Sequence, residues 1–258
     1  MGTSWKMNKT RAQAAAYLDV LVDGLAAAGA GPGPDPIVFV IPPLTALTTV
    51  ADRLPAGSPI IIGAQNAHWE SDGAWTGEVS MEMIKDAGAQ LLEIGHAERR
   101  AWFGEADATV AAKVAAALTA DLVPLVCVGE PAEVRDAGAE QAFVGDQVRA
   151  ALSTTAEVER VVIAYEPVWA IGEHGRAAAP AEIAPVLATI RSTITELSDG
   201  GRPRAVLYGG SVDHDNAGAF LDDPSTDGLF VGRAAWQPAD FLDLIALCRD
   251  HPATTRVG

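Results

Sequence analysis

The sequence predicts an α/β fold, a (β/α)8 barrel built as a single domain over residues 1–258. Three observations carry that expectation. The length of 258 residues suits one large barrel or two small domains. Short β-branched runs recur along the chain, most of them followed by an Ala-rich helical stretch. No shift in composition marks a second domain, and apolar residues at 49% with charged residues at 20% are ordinary for a globular protein with a sizeable core.

The strand candidates are residues 37–41 (IVFVI), 60–64 (IIIGA), 91–94 (LLEI), 123–128 (VPLVCV), 161–165 (VVIAY), 205–208 (AVLY) and 228–231 (GLFV). Near-continuous apolar runs of this kind read as strands of a parallel sheet buried on both faces. Helical patterns occupy 11–28, 44–53, 106–118, 141–152, 181–197 and 239–249. Residues 31–36 (GPGPDP) are a helix-to-strand loop. A short strand ending at Trp5 brings the total to eight, the number a closed barrel needs. A doubly wound open sheet is the competing topology. Only five residues precede Lys6. This predicts a first strand that is short or truncated: either the native start lies several residues upstream, or the strand is poorly covered at its beginning.

Charge and composition narrow the partners. Lys and Arg number 18 against 34 Asp and Glu, a formal net charge of −16. So acidic a chain argues against nucleic acid and anionic membranes, and any small anionic ligand needs a local positive site. Cys127 and Cys248 lack metal-ligand spacing and are too few for a disulfide framework, so both read as reduced thiols of a cytoplasmic protein. The N-terminus lacks a signal peptide's apolar core, and no run of about 18 apolar residues exists to span a membrane. The histidines form no pair at metal-binding spacing and no nucleotide fingerprint is present, so neither metal nor cofactor is expected.

A barrel of this kind keeps its chemistry where strands end and the following loops begin. Those junctions carry Lys6, Gln65 and Asn66, His96, residues 127–130 (CVGE), Glu166, residues 209–211 (GGS), Gly232 and Arg233. Lys6 could be an ordinary surface lysine with a buried stem or a fixed charge awaiting an anion. A carboxylate, an imidazole, a lysine and glycine-containing turns are expected on one rim.

The motifs WKMN (5–8), GAQN (63–66), TGE (76–78), GHAERR (95–100), CVGE (127–130), AYEPVWAIG (164–172), YGGSV (208–212) and DGLFVG (227–232) resemble the triosephosphate isomerase family over nearly the whole length. The resemblance implies a homodimeric, metal-free barrel enzyme that moves a proton between adjacent carbons of a small phosphorylated sugar. It makes Glu166 the catalytic base and His96 a neutral electrophile. Lys6 becomes the positive charge beside phosphate and developing enediolate, and Glu98 an acidic partner of Lys6 and His96. Gly172, Ser211 and Gly232 supply phosphate contacts, with Arg233 next to them. Residues 167–178 resemble a mobile lid that excludes water. Residues 65–78 resemble the loop with which each subunit completes its partner's site, Thr76 at its tip.

Several positions depart from the family pattern, and they cluster around the ligand. Ser4 replaces an asparagine that touches substrate, Ala97 a serine, and Arg233 a glycine; the lid tip around Glu173 and His174 is one residue longer. His68, Trp69 and Trp75 decorate the dimer loop. These features resemble the erythrulose-phosphate isomerase branch of the family, which implies conversion of L-erythrulose 1-phosphate to D-erythrulose 4-phosphate. Ser4 then offers room and a polar partner for the extra hydroxymethyl group, and Arg233 either a charge-assisted phosphate donor or a cap on the rim. Plain triosephosphate isomerisation is the alternative reading. A catalytically idle phosphosugar-binding barrel is a third, since fold does not fix function.

Overall fold

Eight parallel strands close into a barrel in the order β1 to β8. The computed structural model describes residues 1–29, 36–172 and 175–251; most of the 31–36 loop therefore lies outside the described residues. The strands are β1 (Gly2–Ser4), β2 (Val38–Ile41), β3 (Ile60–Ala64), β4 (Leu91–Ile94), β5 (Val123–Val128), β6 (Val162–Tyr165), β7 (Ala205–Tyr208) and β8 (Gly228–Val231). Each agrees with the expected run to within a residue. The open-sheet alternative fails because β1 pairs on both sides, Gly2 with Phe39 of β2 and with Phe230 of β8.

The first strand is short, as expected, at three residues. Glycine at position 2 makes it fit: a Cβ there would lie 2.0 Å from the Phe39 ring, which stacks on Phe230 at 5.6 Å. Beyond β1 the chain is anchored by Trp5, fully buried and edge-on to Tyr17. The Tyr17 hydroxyl donates to the Ala235 carbonyl and the Trp236 indole to the Ser4 carbonyl.

The helices are α1 (Arg11–Ala27), α2 (Leu47–Ala51), α3 (Met81–Asp86), α4 (Ala97–Trp102), α5 (Asp107–Thr119), α6 (Ala132–Asp136), α7 (Glu140–Leu152), α8 (Pro180–Leu197), α9 (Ala217–Leu221) and α10 (Pro238–Asp250). Thr10 caps α1 and exchanges hydrogen bonds with Gln13, a capping box that stops the chain just after the Lys6 turn. In α8, Ile183, Leu187, Ile190 and Ile194 form a buried stripe at helical spacing. The expected helix over 44–53 is instead a 3-10 turn (Leu44–Ala46) followed by the short α2. Its β-branched Thr48, Thr49 and Val50 are weak helix formers. Helices α3, α6 and α9 have only five or six residues, too short to show a 3.6-residue period.

Two apolar cores follow from the strand alternation. Phe39, Ile41, Leu91, Leu125, Cys127, Val162, Ala164, Leu207 and Phe230 fill the barrel lumen. A larger shell of alternate strand residues packs against the helices.

Candidate active site

One cavity of about 610 Å³ opens at the carboxyl ends of the strands. Ser4, Lys6, His96, Glu98, Glu166, Gly172, Ser211, Gly232 and Arg233 all line it. Thr76 does not; it lies in the exposed stretch that follows β3. Glu173 and His174 of the lid tip lie outside the described residues.

Lys6 follows β1 with a backbone φ of 50°, a left-handed conformation that a lysine adopts only when its surroundings impose it. Asn8 holds the Trp5 carbonyl and Gln65 the Lys6 carbonyl, both at 2.9 Å. The ammonium is thereby aimed into the cavity, where it meets Glu98 Oε1 at 2.7 Å.

His96 ends the loop after β4 and starts α4. Its Nδ1 accepts the Glu98 backbone N–H at 3.1 Å, so in the neutral ring the proton sits on Nε2. Burial, then the nearby Lys6 charge, lowers its pKa to about 4. Nε2 faces Glu166 Oε2 at 3.6 Å, and with the ring neutral this approach is not an ion pair. A buried cluster holds the loop from behind. Glu105 accepts from the Gly95 amide at 2.9 Å and pairs with Arg99 at 2.6 Å and Lys113 at 3.1 Å. Burial alone would raise the Glu105 pKa, but Lys113, Arg99 and the Gly95 amide outweigh it and hold the group ionised.

Glu166 follows β6, its backbone N–H on the Val128 carbonyl at 2.8 Å. Glycine at 209 leaves the space its side chain fills, because a Cβ there would lie 2.8 Å from Glu166 Cγ. Oε2 is buried and accepts no hydrogen bond. Burial, then the charge of Glu93, raises its pKa to about 8. The Lys6 charge and the Cys127 thiol pull the other way without cancelling the rise, so the desolvated carboxylate is a stronger base than one in water.

The lid is held by its first turn. The Trp169 indole donates to Glu130 Oε1 at 2.6 Å, and the Arg135 and Arg176 guanidinium groups lie over its ring at 4.4 and 4.3 Å. Arg233 donates to the Gly172 carbonyl at 2.9 Å, tying the loop after β8 to the lid.

The sequence model of the triosephosphate isomerase family matches residues 1–248. The chain belongs to the triosephosphate isomerase family. Among its relatives, L-erythrulose-1-phosphate isomerase of Mycolicibacterium smegmatis is 48% identical, the match covering 98% of this chain and 94% of the relative. The enzyme of that name from Brucella abortus is 44% identical, with 96% and 95% covered. The crystal structure of triosephosphate isomerase from Bartonella henselae superposes with a TM-score of 0.84 at 35% identity, covering 97% of this chain and 98% of that one.

Sequence reasoning missed two ionisable lining residues of this family member, Glu93 and Asp213, of which Glu93 is the buried one. Glu93 is 4% exposed, accepts the Ser4 hydroxyl at 2.8 Å, and has its pKa raised to about 7, chiefly by burial. The signal was present: a single charge inside the apolar run LLEI, on the same side of the strand as Leu91. The supporting cluster around Glu105 was missed as well, because side-chain pairings between a turn and the helices beside it carry no spacing signature in the sequence.

Proposed function

We propose that the protein is a sugar-phosphate isomerase that converts L-erythrulose 1-phosphate into D-erythrulose 4-phosphate through an enediolate. The observation that carries the chemistry is the buried Glu166 Oε2, which accepts no hydrogen bond and lies 3.6 Å from a neutral His96, with Lys6 in the same cavity. The choice of substrate is supported by the names of the two bacterial relatives and by serine at position 4.

Glu166 takes the proton from C3 of the substrate as the His96 Nε2–H donates to the carbonyl oxygen on C2. The negative charge that develops is offset by Lys6, more strongly in a dry cavity than in water. Glu166 returns the proton to C2, and His96 carries a proton from the oxygen on C3 to that on C2. The ketone has then moved from C2 to C3, with no gain or loss of atoms. Glu98 holds Lys6 and, through its amide, the His96 ring. Backbone at Gly172, Ser211 and Gly232 takes the phosphate, and Arg233 steadies the lid over it.

Two subunits complete the enzyme in this reading. Met7, Leu44 and Trp75 are large apolar residues with 96%, 49% and 50% exposure. They follow the neighbouring strands β1, β2 and β3, so they occupy one sector of the rim. A second copy covers that sector, with Thr76 reaching into the partner's site.

The deciding measurement is kcat/KM for L-erythrulose 1-phosphate and for glyceraldehyde 3-phosphate on the same preparation. A preference for the tetrulose phosphate is expected; a large preference for the triose phosphate removes the proposal and leaves triosephosphate isomerisation, the activity named for the Bartonella neighbour. Incorporation of solvent deuterium at the substrate carbon separates either enzyme from a mere binder.

A further inference from the structure

We propose that Glu93, positioned by Ser4, is the residue that selects the substrate by accepting a hydrogen bond from its terminal hydroxymethyl group. The inference rests on the tetrulose-phosphate reading above and deepens it.

Glu93 sits at the top of the lumen, with the apolar Leu91 on its own strand and Leu125 opposite it on β5. A carboxylate in that setting is costly unless paired or hydrogen-bonded. Among the described residues Glu93 makes no ion pair; the adjacent ammonium of Lys6 is taken by Glu98. Its one hydrogen bond comes from the Ser4 hydroxyl to Oε2. Oε1 accepts from no described residue, and Glu93 belongs to the cavity lining. An acceptor oxygen is therefore presented to whatever fills the floor of the site.

The barrel order says which part of the substrate reaches it. The phosphate loops follow β6, β7 and β8, whereas β4, which carries Glu93, stands four places from β8 around the ring. A ligand gripped by its phosphate at one side and polarised by His96 at the other points its far carbon at β4. In L-erythrulose 1-phosphate that carbon bears a primary alcohol, a donor; in dihydroxyacetone phosphate there is no such carbon. A short hydrogen bond from an alcohol to a carboxylate is among the stronger neutral-to-charged contacts. A site built to receive it penalises a substrate that leaves the acceptor bare.

The test begins with the wild-type protein, which needs no variant to fold. L-Erythrulose 1-phosphate is compared with its 4-deoxy analogue, on the alkaline plateau of the pH profile. The analogue is expected to show a kcat/KM roughly 10- to 100-fold lower. In E93Q, measured the same way, that gap shrinks to a few-fold, and S4A shrinks it part of the way. The ratio of tetrulose-phosphate to triose-phosphate kcat/KM falls with it. If the wild type uses the analogue as well as the substrate, or if E93Q slows both alike so that the ratios stay put, the inference is overturned while the tetrulose reading stands. A wild type that prefers triose phosphates instead sinks the reading beneath it.

Discussion

Glu166 is buried, and no described donor reaches its Oε2. Replacement by glutamine keeps the shape and removes the base, so kcat for E166Q should fall about 10²- to 10⁴-fold with the fold intact; a loss under tenfold, in a protein of unchanged circular dichroism, contradicts its role. The pKa near 8 gives a second expectation. The base acts only when deprotonated, so kcat/KM should fall as pH drops through about 8 and level off above it. His96, lowered to about 4, is already neutral there and adds no limb in that range. The substrate phosphate titrates at about 6. A profile whose only acid limb lies near 6 would mean that the free enzyme's Glu166 is an ordinary carboxylate. The position of Lys6 also belongs to this scale: its left-handed backbone is imposed by Asn8 and Gln65, not chosen by the lysine itself.

The loop after β4 and its helix α4 place two site residues, and Glu105 is what fixes them. Its carboxylate joins the Gly95 amide, Arg99 and Lys113, and Lys113 reaches on to Asn66 in the loop after β3 at 2.7 Å. Removing one member of a buried charge cluster leaves the others unpaired, which costs about 3–5 kcal/mol. Denaturant unfolding of E105A at fixed protein concentration should show a loss of that size; a change under about 1 kcal/mol would mean that solvent already screens the cluster. The lid depends on a similar buried anchor. Glu130 is fully buried and accepts from both the Tyr165 hydroxyl and the Trp169 indole, so the lid's first turn is held even though its tip is glycine-rich.

Across the whole molecule, an acidic surface binds an anionic ligand because charge is sorted locally. Lys6 lies at the cavity wall, and Gly172, Ser211 and Gly232 of the loops after β6, β7 and β8 line the same cavity. The exposed apolar sector around Met7, Leu44 and Trp75 is the counterpart at the rim. Sedimentation should give a dimer, and T76R should shift it toward monomer with at least a tenfold fall in kcat/KM. A wild-type monomer with full activity would remove the shared-site proposal.

The eight strands and the helical segments longer than about ten residues were legible because apolar alternation and 3.6-residue spacing are local properties of the chain. So was the placement of Glu166, His96 and Lys6 at one cavity, since all three stand at strand ends inside specific motifs. The short helices were not, since a turn and a half carries no period. Neither was Glu93 with Ser4, nor Lys113 with Asn66: each pairing joins elements that meet only when the barrel folds. Closure also sets the ionisation. A glutamate at 166 is written in the sequence, but its basicity comes from burial and from Glu93 89 residues beyond Ser4 in the chain, and desolvation exists only in three dimensions.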